Sequence, residues 1–122
     1  MSDSHCILLV DDNQELIRAA ALRLHAAGYE TIRAYDGEQG IASAIRHHPD
    51  AILLDVRMPV KDGMTALAEL QACDETRTIP IIMLSASIVD EQAALQTGAR
   101  YFLKKPYESQ HLLRALATVM RN

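Results

Sequence analysis

Four short apolar runs, each ending at a charged or hydroxyl-bearing residue, constrain the fold of this chain more than any other feature of its sequence. Such runs, without polar alternation, are typical of strands buried on both faces of a sheet. A weaker strand is predicted at 29–34, where aromatic and β-branched residues stand between charges. The four runs are 6–10, before Asp11 and Asp12; 51–54, before Asp55; 79–84, before Ser85; and 101–103, before Lys104, Lys105 and Pro106.

Between the runs, apolar residues recur at the spacing of amphipathic helices. Gly28 and Gly98 follow the first and fourth helical segments, where helices often end. In the fourth segment, 88–97, Ser87 and Asp90 have the spacing of a capping box, with Asp in place of the preferred Glu. The predicted stripes are Leu16, Ala20, Leu24 and Ala27 in the first helix, Ile41, Ala44 and Ile45 in the second, Met64, Leu67, Ala68 and Leu70 in the third, and Leu112, Leu113, Leu116, Ala117 and Met120 in the fifth.

Five strands that alternate with five helices predict an α/β fold with a parallel sheet, because parallel neighbours need crossover connections. Right-handed crossovers make such a fold doubly wound, with helices on both faces. The 122 residues match the size of one domain and contain no linker or repeat, so a single domain over 1–122 is expected.

Charge and hydropathy exclude several functions for the chain itself. A formal net charge of -4 provides no broad basic field, so direct nucleic-acid binding is not expected. The N-terminal residues lack a positively charged leader, and no apolar run is long enough for a membrane span. The expected location is therefore the cytoplasm.

The residues that end the strands form a chemical set. Ligands of an open parallel sheet bind beyond the carboxyl ends of its strands, where Asp11, Asp12, Asp55, Ser85 and Lys105 should converge. Three ionised carboxylates at close range repel one another unless a cation is present. Mg²⁺, which prefers oxygen ligands and often binds phosphate as well, fits this set best.

Phosphoryl transfer is the chemistry that this set favours. Asp55 could attack a phosphoryl group to form an aspartyl phosphate, while Lys105 and the metal neutralise its charge and Ser85 donates its hydroxyl. The competing interpretation is structural: Asp11 and Asp12 cap a helix, and Asp55 is an ordinary loop acid.

The chain resembles the response-regulator receiver family over essentially its whole length. The resemblance lies in ILLV before Asp11 and Asp12, LLDVRMP around Asp55 with Gly63 behind it, LSA at Ser85, and KKP ending in Pro106. It implies a flavodoxin-like sheet of order 2-1-3-4-5 and a cis peptide before Pro106. It also implies that Mg²⁺, or Mn²⁺ as an alternative, is held by Asp11 (directly or through water), Asp12, Asp55 and the backbone carbonyl of Arg57.

The resemblance further implies a signalling role in a two-component, His-Asp phosphorelay system. The phosphodonor would be a sensor histidine kinase or a histidine phosphotransfer protein, and the output a downstream effector or a fused domain. Phosphorylation of Asp55 would move Ser85 and turn Phe102 inward, changing the surface of the fourth helix, fifth strand and fifth helix. Exposed contacts are expected there at Arg100, Lys104, Tyr107 and His111. The chain would be no enzyme, although it would assist its own phosphorylation and dephosphorylation.

Two other functions remain open from the sequence. One is a Mg²⁺-dependent phosphatase that uses an aspartyl phosphate; such hydrolases usually place nucleophile and acid two residues apart, whereas Asp11 and Asp12 are adjacent. The other is a receiver-like binding module that does not accept phosphate, although all five site positions carry suitable residues.

Overall fold

Five parallel strands form one sheet in the computed structural model, which describes residues 5–120. The strands are β1 (Cys6–Val10), β2 (Glu30–Ala34), β3 (Ala51–Asp55), β4 (Ile81–Ser85) and β5 (Tyr101–Lys104), in the order β2-β1-β3-β4-β5. Both the parallel sheet and its predicted order are therefore confirmed. No helix within 5–120 is long and apolar enough to cross a membrane.

Five helices cover the two faces of the sheet. They are α1 (Gln14–Ala26), α2 (Gly37–His47), α3 (Gly63–Ala72), α4 (Asp90–Thr97) and α5 (Ser109–Met120). Helices α1 and α5 pack on one face around Ile7, Leu9 and Leu53, while α2, α3 and α4 pack on the other around Leu8, Ile52 and Leu54. Alternate residues of the central strands thus enter opposite cores, which explains why their sequences are apolar throughout.

The buried face of α1 differs from the predicted stripe. Ile17, Ala21 and Leu24 are buried, whereas Leu16 is 46% exposed and Ala27 is exposed. Leu24 is thus buried as predicted, but Ile17 and Ala21 are buried in place of Leu16 and Ala20, because apolar residues surround most of this helix and do not single out one face. The predicted end at Gly28 is confirmed by its φ of 97°, a conformation that glycine adopts without strain.

The predicted capping box of α4 is wrong. The N-cap residue is Val89, and no side chain accepts a hydrogen bond from the first turn. Asp90 instead accepts a hydrogen bond from the Ser85 hydroxyl, 2.6 Å away. The side chain that the pattern assigned to the helix end therefore faces the end of β4.

Gly63 permits the close approach of α3 to the carboxyl end of β3. A Cβ atom at this position would clash with the backbone carbonyl of Asp55. The backbone amide of Gly63 donates to the carbonyl of Val56 at 2.7 Å, so the turn is fixed against the strand. The close packing of Gly63 thus fixes the position of the Asp55 backbone.

Candidate metal centre at the carboxyl edge of the sheet

Three carboxylates meet where β1 and β3 end. Asp11 and Asp12 follow β1 directly, Asp55 is the last residue of β3, and the pairing of Val10 with Leu54 places these ends side by side. One carboxylate oxygen from each aspartate lies within 4.8 Å of the others. Asp11 and Asp55 are buried while Asp12 is exposed, so the cluster has an inner wall and an open side.

Lys105 supplies the positive charge of this cluster. Its Nζ lies 2.8 Å from Asp55 Oδ1 and 3.0 Å from Asp11 Oδ2. Its backbone amide donates to the carbonyl of Ser85 at 2.8 Å, and the peptide bond to Pro106 is cis. Lys104, by contrast, is exposed, and among residues 5–120 its Nζ hydrogen-bonds to the carbonyl of Lys105 alone, at 3.4 Å. Of the two adjacent lysines, Lys105 is the one that lies beside the carboxylates.

Electrostatics leave the cluster short of positive charge. Burial raises the pKa of Asp55, the carboxylates of Asp11 and Asp12 raise it further, and Lys105 lowers it without reversing the shift. Burial alone would lower the pKa of Lys105, but its hydrogen bonds to Asp55 and Asp11 raise it above its usual value. A second cation would offset the remaining repulsion.

The hydrogen bonds distinguish the three carboxylates. Asp11 Oδ1 accepts from the Asn13 amide at 3.0 Å, and Asp11 Oδ2 accepts from Lys105. The carboxylate of Asp12 has no hydrogen-bond partner among the described residues. Oxygen donors of this kind fit Mg²⁺, and Asp12 and Asp55 offer less encumbered oxygens than Asp11.

The cap of α1 is Asn13 and not either aspartate. Asn13 Oδ1 accepts from the backbone amides of Glu15 at 3.1 Å and Leu16 at 3.2 Å. The structural interpretation of Asp11 and Asp12 as a helix cap is therefore wrong, because a third residue satisfies those amides. The two carboxylates remain directed to other partners.

Ser85 is buried at the end of β4, and its hydroxyl is engaged on both sides. It donates to Asp90 Oδ2 at 2.6 Å and accepts from the Ser87 amide at 3.0 Å. The same Asp90 oxygen lies 3.5 Å from a guanidinium nitrogen of Arg57, whose side chain is 72% exposed. Asp90 was not predicted as a member of this site. The one sequence signal for its contact with Ser85 is that it lies five residues further along the chain.

The residues predicted for the output surface differ in how exposed they are. Phe102 is half-buried, pairs in register with Met83 and packs against the core beneath α3 and α4. Tyr107 is half-buried instead of exposed, and burial raises its pKa. It packs against the core beneath α1 and α5, and it lines a groove of about 430 Å³ between α1 and the start of α5. The predicted exposure is confirmed for Arg100, Lys104 and His111.

Comparison with known proteins gives a consistent result. The model of the response regulator receiver domain matches residues 7–117. The chain is 35% identical over 117 residues to the transcriptional regulatory protein PrrA of Mycobacterium tuberculosis, covering 94% of this chain and 49% of PrrA. It is 38% identical over 117 residues to CpxR of Klebsiella pneumoniae, with 94% and 49% covered. The chain thus spans about half the length of these relatives.

Solved structures extend the likeness to the whole fold. The receiver domain of the sensor histidine kinase PA1611 of Pseudomonas aeruginosa, which has a magnesium ion coordinated in its active-site cleft, is 37% identical with a TM-score of 0.89. That match covers 96% of this chain and 98% of the other. The chemotaxis response regulator CheY4 of Vibrio cholerae is 31% identical with a TM-score of 0.89, covering 95% and 98%.

Proposed function

The chain belongs to the response-regulator receiver family of two-component signalling, and from that premise we propose that Asp55 is its phosphoacceptor. Like the family, it is a signalling domain and not a conventional enzyme. The observation that carries the proposal is the ion pair between Asp55 Oδ1 and Lys105 Nζ at 2.8 Å, inside a cluster of two further carboxylates. A buried carboxylate beside a fixed ammonium group is placed to attack a phosphoryl group while the ammonium stabilises the negative charge on that group.

In the proposed reaction, a carboxylate oxygen of Asp55 forms a bond to phosphorus while the bond from phosphorus to the donor nitrogen or oxygen breaks. Lys105 would then bind an oxygen of the transferred group, because its ammonium already lies beside the attacking carboxylate. Ser85 would donate its hydroxyl to another phosphoryl oxygen. Hydrolysis at the same centre would return Asp55 to its free form, so the chain would assist both its phosphorylation and its dephosphorylation.

The residues proposed to hold Mg²⁺ are Asp12 and Asp55 directly, Asp11 directly or through water, and the backbone carbonyl of Arg57. Lys105 alone does not balance the negative charge of the three carboxylates, and the bound ion would supply the missing positive charge. The magnesium-containing cleft of the PA1611 receiver domain supports this assignment. Mn²⁺, which shares the preference for oxygen ligands, is the proposed alternative.

We propose that the phosphodonor is a histidine on a sensor kinase or phosphotransfer protein. PrrA and CpxR are about twice as long as this chain and are named as transcriptional regulatory proteins. The output of this chain would accordingly pass through a downstream effector or a fused output domain. The surface that carries it would be formed by α4, β5 and α5, with Phe102 as the side chain that turns inward.

Incubation with acetyl phosphate and Mg²⁺, followed by intact mass measurement, tests the proposal. We expect the wild type to gain one phosphoryl group and Asp55→Asn to gain none. Asp62→Asn is the matched control, since Asp62 is an exposed aspartate near the same edge whose side chain caps α3. Equal phosphorylation of wild type and Asp55→Asn would contradict the proposal.

A further inference from the structure

The hydroxyl of Ser85 is already committed to a partner outside the carboxylate cluster. We propose that Asp90 is a positioning residue: it holds this hydroxyl in the unphosphorylated protein and competes with the phosphoryl group for it. The inference rests on the proposed function, because Ser85 is the residue expected to donate to that group. It adds a residue at the start of α4 to the switch.

Hydrogen-bond stoichiometry makes the competition unavoidable. A serine hydroxyl carries one proton and can donate to one acceptor at a time. In this structure the proton lies toward Asp90 Oδ2, at a distance of 2.6 Å that is typical of a strong bond to a carboxylate. Ser85 is only 1% exposed, so water is excluded as a substitute partner. A phosphoryl oxygen can recruit the hydroxyl only after the bond to Asp90 breaks.

The position of Asp90 lets its carboxylate contact Ser85, Arg57 and the first turn of α4 together. Asp90 is the first residue of α4, and a negative charge is stabilised at a helix N-terminus. Its carboxylate is largely buried, with 16% of the side chain exposed, and a guanidinium nitrogen of Arg57 lies 3.5 Å away. Arg57 therefore links the loop after Asp55 to the same carboxylate oxygen that accepts from Ser85.

The Ser85–Asp90 bond also closes the loop between β4 and α4. The Ser87 amide donates to the Ser85 hydroxyl at 3.0 Å. The Ser85 oxygen is therefore hydrogen-bonded both to Ser87, within the loop, and to Asp90, where α4 begins. Between these contacts lie Ile88 and Val89, apolar side chains that are 61% and 77% exposed. Release of Ser85 from Asp90 would free this segment, which connects events at the site to the α4 surface.

A double-mutant cycle with beryllofluoride and Mg²⁺ tests the inference. The four proteins are wild type, Asp90→Asn, Ser85→Ala and the double variant, and binding is followed by NMR at the backbone amides of Val56 and Arg57. Asp90→Asn should bind beryllofluoride about tenfold more tightly than wild type, which corresponds to about 1.4 kcal/mol. In the Ser85→Ala background, Asp90→Asn should change affinity by less than about twofold, because no hydroxyl remains to be released.

A control variant distinguishes the loss of the Ser85–Asp90 hydrogen bond from the loss of a negative charge at the start of α4. Glu91→Gln removes the same charge from the same first turn of α4, and Glu91 makes no side-chain hydrogen bond or ion pair within 5–120. We expect this variant to bind within about twofold of wild type. An equal effect of Asp90→Asn with and without the Ser85 hydroxyl, weaker binding, or unchanged binding would each overturn the inference. If the wild type shows no response to beryllofluoride and no phosphorylation, the proposed function fails as well.

Discussion

Replacing Asp55 by asparagine should stabilise the metal-free protein at neutral pH. The pKa of Asp55 is raised, chiefly by burial, so the fold disfavours its ionised form. Asparagine has nearly the same shape and no charge. We therefore expect Asp55→Asn to raise the free energy of unfolding, even though it removes one partner of Lys105.

The magnitude follows from the distances in the cluster. The carboxylate oxygens of the cluster lie within 4.8 Å of one another, and at an effective dielectric constant of about 20 two like charges at that limit repel by roughly 3.5 kcal/mol. Asp55 has two such neighbours, and its attraction to Lys105 at 2.8 Å amounts to roughly 6 kcal/mol on the same basis. These contributions nearly cancel, which leaves burial to decide the sign. We expect a gain of about 1–2 kcal/mol, or roughly 4–8 °C in Tm.

The pH dependence has a definite direction. The folded-state pKa of Asp55 lies above its unfolded value of about 3.9. Below that value the carboxyl is protonated in both states, so wild type and variant should unfold alike. Between that value and the folded-state pKa the unfolded chain ionises while the folded protein stays protonated, so the advantage of Asp55→Asn should develop over this range and be complete above the folded-state pKa.

Urea unfolding in EDTA, across a pH series, measures this effect. Asp74→Asn is the control: Asp74 is 88% exposed and pairs with Arg77 at 3.3 Å, so its loss should change stability by less than about 0.5 kcal/mol. An Asp55→Asn variant no more stable than wild type at neutral pH would refute the reasoning. So would an advantage that grows as pH falls.

Three further substitutions test the structure around the site. Gly63→Ala should destabilise the fold by about 3 kcal/mol and weaken Mg²⁺ binding, because the added Cβ would clash with the Asp55 carbonyl. Urea unfolding with and without the ion measures both effects. Ser109→Ala should leave stability unchanged or raise it by about 1 kcal/mol, since the Ser109 hydroxyl is buried without a hydrogen-bond partner in the described structure; a clear loss would contradict this. Val60→Gly should raise Tm, because Val60 has a φ of 68° that strains a β-branched residue, and a lower Tm would show that the strain is absent.

Sequence reasoning predicted the sheet well because burial imposes a plain signal on its strands. The runs that become β1 and β3 are apolar at every position, since alternate residues enter two different cores. The placement of Asp11, Asp12 and Asp55 then follows from strand polarity alone. The order of the strands came from the family resemblance and could not be reached from periodicity.

The misplaced stripe of α1 and the wrong capping box of α4 share one cause, which is that a local pattern fitted two geometries. Leu16 and Ile17 are adjacent and apolar, and packing against α5 and the sheet decides which of them is buried. The position of Asp90 three residues after Ser87 fits a capping box, but Asp90 is also close enough in sequence to contact Ser85. A hydrogen bond between the end of a strand and the following helix depends on the path of the loop, which the sequence does not encode as a periodicity.

The most direct test of the central claim is to locate the phosphoryl group at a single residue. Borohydride reduces an aspartyl phosphate to homoserine, so treatment of the phosphorylated wild type followed by peptide sequencing should reveal homoserine at position 55 and aspartate at positions 11 and 12. Homoserine at position 11 or 12, or aspartate retained at position 55 in protein that carries the phosphoryl mass, would contradict the assignment of Asp55.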